Sequence, residues 1–413
     1  VMQVHEGIRE PGCASAHRES LLVDRKRDIR TVSKLWRQLQ KSAAGCFSFV
    51  ESVGFGYSIG LIRGLLGLPQ SRTDGLPRSR NGAVDRPIVG PTLDGLTEQG
   101  FPVERLADFA EGILRNLGLT SDFARLVVFC GHASQTENNP MQSGLDCGAC
   151  AGHSGESNAR VAALLLNHGD VRRLLADRRI VIPEDVRFVG GLHNTTTDEI
   201  TFFDDDLMPV THRGDLDWLR RTVKEAGLQT RMERAPTLSA ANERALGGRA
   251  NDWSEVRPEW GLTGNAAFVI GPRRMTAASN LQGRSFMHSY DEAHDPDGKV
   301  LEQIMTAPMI VTNWINMQYF ASTVDQKHFG CGNKTIHNVV GKFGILEGNG
   351  GDLRGGLAWQ SLHDGAKFQH DPVRLLVVIA ARRSSIDRVI ANHANVRDLV
   401  TNGWVQLIAV EDT

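Results

Sequence analysis

Residues 125–169 read RLVVFCGHASQTENNPMQSGLDCGACAGHSGESNARVAALLLNHG. RLVVFCG, 125–131, is a short apolar run rich in β-branched side chains, of the kind that fills a buried parallel strand. SNARVAALLLNHG, 157–169, resumes helical periodicity, with Ser157 or a neighbour as the expected cap. The segment between them is so rich in Gly, Asn and Ser that it supports neither helix nor strand. Strand, loop and helix in that order form a βα unit, and open α/β sheets place ligands beyond the carboxyl end of such a strand. The expected fold is α/β, with mostly parallel strands covered by helices.

Outward from that unit the same alternation continues. IVIPEDVRFVGGLHNTTTDEITFF, 180–203, contains a strand ending at His193 and then the polar run Asn194 to Asp198, so His193 is expected to face the same crevice. Upstream, 102–119 predicts a helix with Leu106, Phe109, Ile113, Leu114 and Leu117 on one face and Gly118 near its end. The stretch 24–44 spaces Ile29, Val32, Leu35, Trp36 and Leu39 as an amphipathic helix, 47–67 follows as a more buried helical segment, and 68–95 is a Pro- and Gly-dense linker. Downstream, 214–250 predicts two charged surface helices, 265–275 a strand with a polar exit, and 301–325 one long helix whose Met and aromatic stripe suits core packing. A β-α-β unit closes the chain from Arg374. The expected division is a helical and linker segment over 1–100, an α/β region with the ligand-type residues over 101–283, and a second α/β region over 284–413.

Composition narrows the function classes. The 413 residues carry 46 basic against 48 acidic side chains, so no broad field points to nucleic acid or to an anionic membrane surface. Runs such as LLVVIAA, 375–381, are far short of the roughly 18–20 apolar residues that span a bilayer. VMQVHEGIREPG has no apolar stretch behind a basic start, and six Cys in this length make no disulfide framework. A reducing compartment is the default, in which a Cys cluster means metal or redox chemistry. The opening Val, followed almost at once by helix-like sequence, suggests a fragment.

His132, Cys147 and Cys150 share one flexible loop, so any two can be brought together at small entropic cost. Zinc takes four ligands from thiolate, imidazole and carboxylate, and a catalytic site keeps one position for water or substrate. The adjoining helix N-terminus would lower a nearby thiolate's pKa and attract an anion. Bland alternatives stand beside each residue. Cys147-Gly-Ala-Cys150 has the spacing of a thiol redox pair or of an inert one, Asp146 is a ligand, an orienting carboxylate or a turn cap, and His193 is a structural or supporting imidazole. Cys130, at the end of an apolar strand, is expected to be a buried core thiol. GNGGDLRGG, 348–356, lacks the spacing of a nucleotide loop and a clear preceding strand, and is expected to be a tight turn presenting Asp352 and Arg354. His328, His337, His363 and His370, in polar loops, are expected to be surface or structural.

Several long motifs occur together: GHASQTENNPMQSGLDCGACAGHSGESNARVAALLLN, GGLHNTTTDEI, VRPEWGLTGNAAFVIGPR, GRSFMHSYD, TAPMIVTNWINMQYFASTVD, FGCGNKTIHNVVGKFGILEGNGGDLRGGLAWQS and HDPVRLLVV. In that order, from about residue 47 to the end, they resemble the DabA family of inorganic carbon transporter subunits, in its carboxy-terminal portion. The resemblance implies a fold like β-carbonic anhydrases with inserted loops, and a peripheral protein on the cytoplasmic side of the inner membrane. It implies a zinc site, a proton-conducting membrane partner of the DabB type, and energy-coupled conversion of CO2 to bicarbonate. By motif position His132 and Cys147 are two zinc ligands, with Asp146, Cys150 and His193 as supporting neighbours. The family's other ligands, a Cys and an Asp in a C-x-D motif, are absent: Cys13 is followed by Ala-Ser, Cys46 by Phe-Ser, and Cys130 by Gly-His. A separate chain supplying that Cys and Asp, a non-catalytic remnant that docks on the partner, and a Cys147/Cys150 redox protein are the expectations that remain open.

Overall fold

In a computed structural model, the described residues are 89–411, apart from 95, 137, 241, 251, 253–261, 341–343 and 349; before 89 they are 6–8, 28, 31, 32, 34–36, 39, 48, 49, 51, 52, 54–58 and 62. Of the expected linker, 68–88 lies outside these residues, as does much of the predicted 24–44 and 47–67 helices. At the linker's far end a three-residue strand appears instead: β2 (Val89–Pro91) pairs antiparallel with β1 (Glu6–Ile8).

The expected α/β architecture is present. α1 (Val103–Asn116) precedes β3 (Leu126–Ala133), and α2 (Glu156–Asn167) and α3 (Gly169–Asp177) precede β4 (Arg187–Asn194) and β5 (Glu199–Phe202). β3 and β4 are parallel and β5 returns antiparallel to β4, forming the first sheet. Side chains alternate across β3 with period two. Val127 and Phe129 pack with Leu106, Leu114, Leu166, Leu175 and Phe188 under α1–α3, while Leu126 and Val128 meet Val189, Met208 and Leu216 on the opposite face. That second face is covered by α4 (Val210–Arg234), which is followed by α5 (Glu243–Ala250), the two charged helices expected there.

The second sheet is wholly parallel. β6 (Ala267–Ile270) and β7 (Ser285–His288) pair with each other, and β6 also pairs with β12, giving the order β13-β12-β6-β7 with β12 at Leu375–Ala380 and β13 at Val405–Val410. Leu375, Val377 and Ile379 point into a core shared with Leu301, Ile304 and Met305 of α6 (Lys299–Thr306) and Met309 of α7 (Pro308–Val324). The same core takes Ile386 of α9 (Arg383–Asn392) and Val396 of α10 (Ala394–Thr401), the crossover of the predicted β-α-β ending. Between α7 and β12 come the short α8 (Gln326–Phe329), β8 (Gly330–Gly332), the antiparallel pair β9 (His337–Val340) and β10 (Gly344–Glu347), and β11 (Leu357–Ala358), which runs parallel to β8.

Two expectations are corrected. The single helix over 301–325 is two, broken at Ala307 (φ −127°, ψ −75°), because Pro308 has no N–H to continue the ladder and disfavours helical backbone in the residue before it. A strand does precede the glycine run: β10 leads into it, and Gly348 and Gly351, at φ 70° and 108°, turn the chain so that Arg354 pairs back with Ile345.

Candidate functional site

The carboxyl edge of the first sheet is shaped by two glycines. A Cβ on Gly131 would lie 2.5 Å from the carbonyl oxygen of Gly155, and one on Gly155 would lie 2.9 Å from the backbone nitrogen of His132. With no side chain at either position, Gly155 N–H donates to His132 O at 2.9 Å, and the start of α2 sits directly against the end of β3. The N-cap of α2 is Gly155, a neighbour of Ser157: the strand's approach demands a residue without Cβ there, so Ser157 falls inside the first turn.

The loop from 134 to 154 is pinned at both ends and in its middle. Asp146 Oδ1 accepts from the backbone N–H of Ser134 at 2.7 Å and from its hydroxyl at 2.8 Å. Leu145, fully buried, packs with Tyr319, Leu357 and Leu362. Cys147 bridges antiparallel to His153, Cys150 N–H donates to Cys147 O at 3.1 Å, and Gly152 N–H donates to the same oxygen at 3.0 Å. Ala151 and Gly152, at φ 55° and 73°, complete this tight turn, and Gly148 rests against Val311 of α7.

Within that frame the donors group as follows. His132 and His193 stand opposite each other in the β3–β4 register, so their side chains share a face. Burial and the neighbouring His193 push the His132 pKa down, against an opposing pull from Asp146, whose backbone also hydrogen-bonds the ring. The imidazole is therefore neutral, and its Nε2 is buried without a hydrogen-bond partner. Cys147 and Cys150, both half-buried and unoxidised, lie within hydrogen-bonding reach of each other. Burial first, then Cys147, push the Cys150 thiol up to about 11, partly offset by Asn158 of α2, whose Nδ2 donates to the sulfur at 3.2 Å.

The supporting group at His193 was not legible from the chain. His193 Nε2 meets Asp198 Oδ1 at 3.3 Å, Asp198 is 5 % exposed, and Arg234 Nη1 of α4 bonds its other oxygen at 3.2 Å. Asp198 belongs to the polar run seen in the sequence, but its cation lies 36 residues away on a helix expected only to be a charged surface. Cys130 is corrected: it is exposed, not a core thiol, because the apolar cover over its face of β3 extends along Leu126 and Val128 and stops before it. Among the described residues no group of three or more His, Cys, Asp or Glu side chains is placed to hold a metal ion.

A neutral imidazole with an unused buried lone pair, and paired thiols in the loop that follows its strand, are donors of the kind that soft divalent cations take. By residue type, His132 and Cys147 are donors that zinc accepts. Fold and edge together define an α/β protein whose candidate ligand residues lie on a βα unit. The family model described as "Probable inorganic carbon transporter subunit DabA" matches residues 3–405, and the chain belongs to that family. It is 49 % identical over 399 residues to "Probable inorganic carbon transporter subunit DabA 1" of Rhodopirellula baltica, covering 97 % of this chain and 44 % of that protein. It is 47 % identical over 408 residues to the corresponding Chloroflexus aurantiacus protein, covering 97 % and 48 %. The chain thus spans about half the length of the curated relatives it matches. No solved structure matches.

Proposed function

We propose that this chain forms part of an inorganic carbon uptake subunit in which His132 and Cys147 are two of four zinc ligands, the remaining Cys and Asp coming from outside these 413 residues. The reaction is hydration of CO2 to bicarbonate, made one-way by an energy-coupled membrane partner of the DabB type, with the subunit peripheral on the cytoplasmic face of the inner membrane. The relatives' shared description as inorganic carbon transporter subunits supports the substrate class. Among the described residues no helix is long and apolar enough to cross a membrane, which suits a peripheral place. The observation that carries the metal is the buried, unpartnered Nε2 of a neutral His132.

Zinc, when bound, supplies a Lewis acid and brings the pKa of a coordinated water to about 7. The chain's own residues prepare for it. The Asp146 backbone holds the His132 ring so that Nε2 is the free nitrogen, and Ser134 holds the Asp146 carboxylate so that the loop carrying Cys147 stays against β3. Asp198 and Arg234 fix the His193 ring beside His132, and Leu145 seals the loop's inner side from water.

The test is zinc per chain, by elemental analysis, after co-expression with a segment carrying the C-x-D motif. Near-stoichiometric zinc is expected, falling about tenfold or more in His132→Ala; undiminished zinc in that variant would overturn the proposal. A non-catalytic docking subunit is the second reading, favoured by the lack of a converged three-donor group among the described residues. It predicts almost no zinc even with the segment supplied.

A further inference from the structure

The Cys147–Cys150 turn has a geometry that metal binding alone does not require. We infer that these two cysteines form a reversible disulfide that withdraws Cys147 from metal coordination, making the site sensitive to the surrounding thiol–disulfide balance. The inference rests on Cys147 being a zinc ligand.

Cys150 N–H donates to Cys147 O at 3.1 Å, an i to i+3 hydrogen bond that closes a turn. Such a turn holds its end Cα atoms within about 7 Å, and a disulfide spans about 4.4–6.8 Å. The two sulfurs already lie within hydrogen-bonding reach, so bond formation needs side-chain rotation and not a refolded loop. Neither residue is fully buried, so a small oxidant can reach the pair. Cys331 has no such access, and Cys130, though exposed, stands on β3 away from this turn. The left-handed Ala151 and Gly152 that follow, with Gly152 N–H also donating to Cys147 O, fix the turn whether the sulfurs are bonded or not.

With glutathione disulfide as oxidant, the Cys147 thiolate attacks one of its sulfurs. The glutathione S–S bond breaks, a mixed disulfide forms on Cys147, and one glutathione leaves. Cys150 then gives up its proton and displaces the second glutathione, so two cysteine thiols are oxidised to one disulfide while one glutathione disulfide is reduced to two thiols. A sulfur held in a disulfide has no thiolate to give a metal.

The experiment equilibrates the purified chain in glutathione buffers from fully reduced to fully oxidised, then alkylates and identifies cysteine peptides by mass spectrometry. The expected result is a Cys147–Cys150 linkage that disappears on reduction, with Cys150→Ser leaving glutathione attached to Cys147 instead. Persistence of both thiols at Cys147 and Cys150 in buffers that glutathionylate Cys130 would overturn the inference. Zinc release from the co-expressed preparation, followed with a chromogenic chelator, reports separately. Wild type is expected to lose zinc under oxidation and to take it up again on reduction, whereas absence of zinc from the reduced protein would sink the metal assignment and leave the disulfide result standing.

Discussion

The two sheets share an architecture and differ at their edges. In the first, the carboxyl end of β3 presents a buried imidazole nitrogen with no partner and two thiols. In the second, carboxylates at the corresponding edge are paired internally. Glu292 accepts from the Arg382 backbone N–H at 3.0 Å, from Arg382 Nε at 2.9 Å and from Ser385 Oγ at 3.0 Å, while Glu411 accepts from Arg383 N–H at 2.6 Å. The protein's own carboxylates therefore occupy the start of α9, where an anion would otherwise bind. A parallel sheet offers a place for a ligand, and the side chains at its rim decide whether that place is open.

The largest expected effect lies at the opposite end of the second sheet. His370 is buried beside Tyr319, its Nδ1 accepts from Gly264 N–H at 3.1 Å, and burial holds its pKa at about 4 instead of 6.5. Because the unfolded imidazole takes up a proton near 6.5 and the folded one only near 4, unfolding is favoured as pH falls through this window. Stability should drop by about 3 kcal/mol across it and be unaffected by this group above it. Urea unfolding at pH 7.5 and pH 5 should show most of that loss in wild type and much less in His370→Asn. Equal losses would assign the slope to other groups, and the second region would have no pH-sensitive centre to contrast with the first.

A pair of matched glycines probes the edges themselves. Ala at Gly131 meets rigid backbone of Gly155 and should destabilise by about 2 kcal/mol, while also loosening the Gly155 amide in hydrogen exchange. Ala at Gly271, just past β6, meets the sulfur of Met275 at 2.7 Å and the Ala380 Cβ at 2.9 Å. Met275 can swing aside but the Ala380 Cβ is fixed to β12, so a somewhat smaller cost, about 1 kcal/mol, is expected. Equal costs would mean that the first edge is no tighter than the second. The smallest effect belongs to Glu292→Gln, which weakens the pair with the exposed Arg382 guanidinium and should lower the urea midpoint by less than either glycine substitution.

Much of this was legible in the chain where it depends on neighbours in sequence. The run from Arg125 to Gly169 showed strand, loop and helix, His193 was placed at a strand end, and the carboxy-terminal β-α-β unit was visible in its apolar periodicity. What escaped was set by distant contacts. Arg234 reaches Asp198 only once α4 lies across the first sheet, the partnership of β6 with β12 spans more than a hundred residues, and Cys130 is exposed because packing over β3 ends one step short. The break at Ala307 is a different kind of miss, since Pro308 was in plain view and the apolar stripe on both sides masked it.

Near its start α7 places Met309 in the core of the second sheet and, within its next three turns, supports Gly148 through Val311 and stands beside Gly144 through Gln318. One stiff rod thus carries load between the two halves. Any tilt of that rod, whatever force applies it, must move the sulfur-bearing hairpin relative to the strand that bears the imidazole.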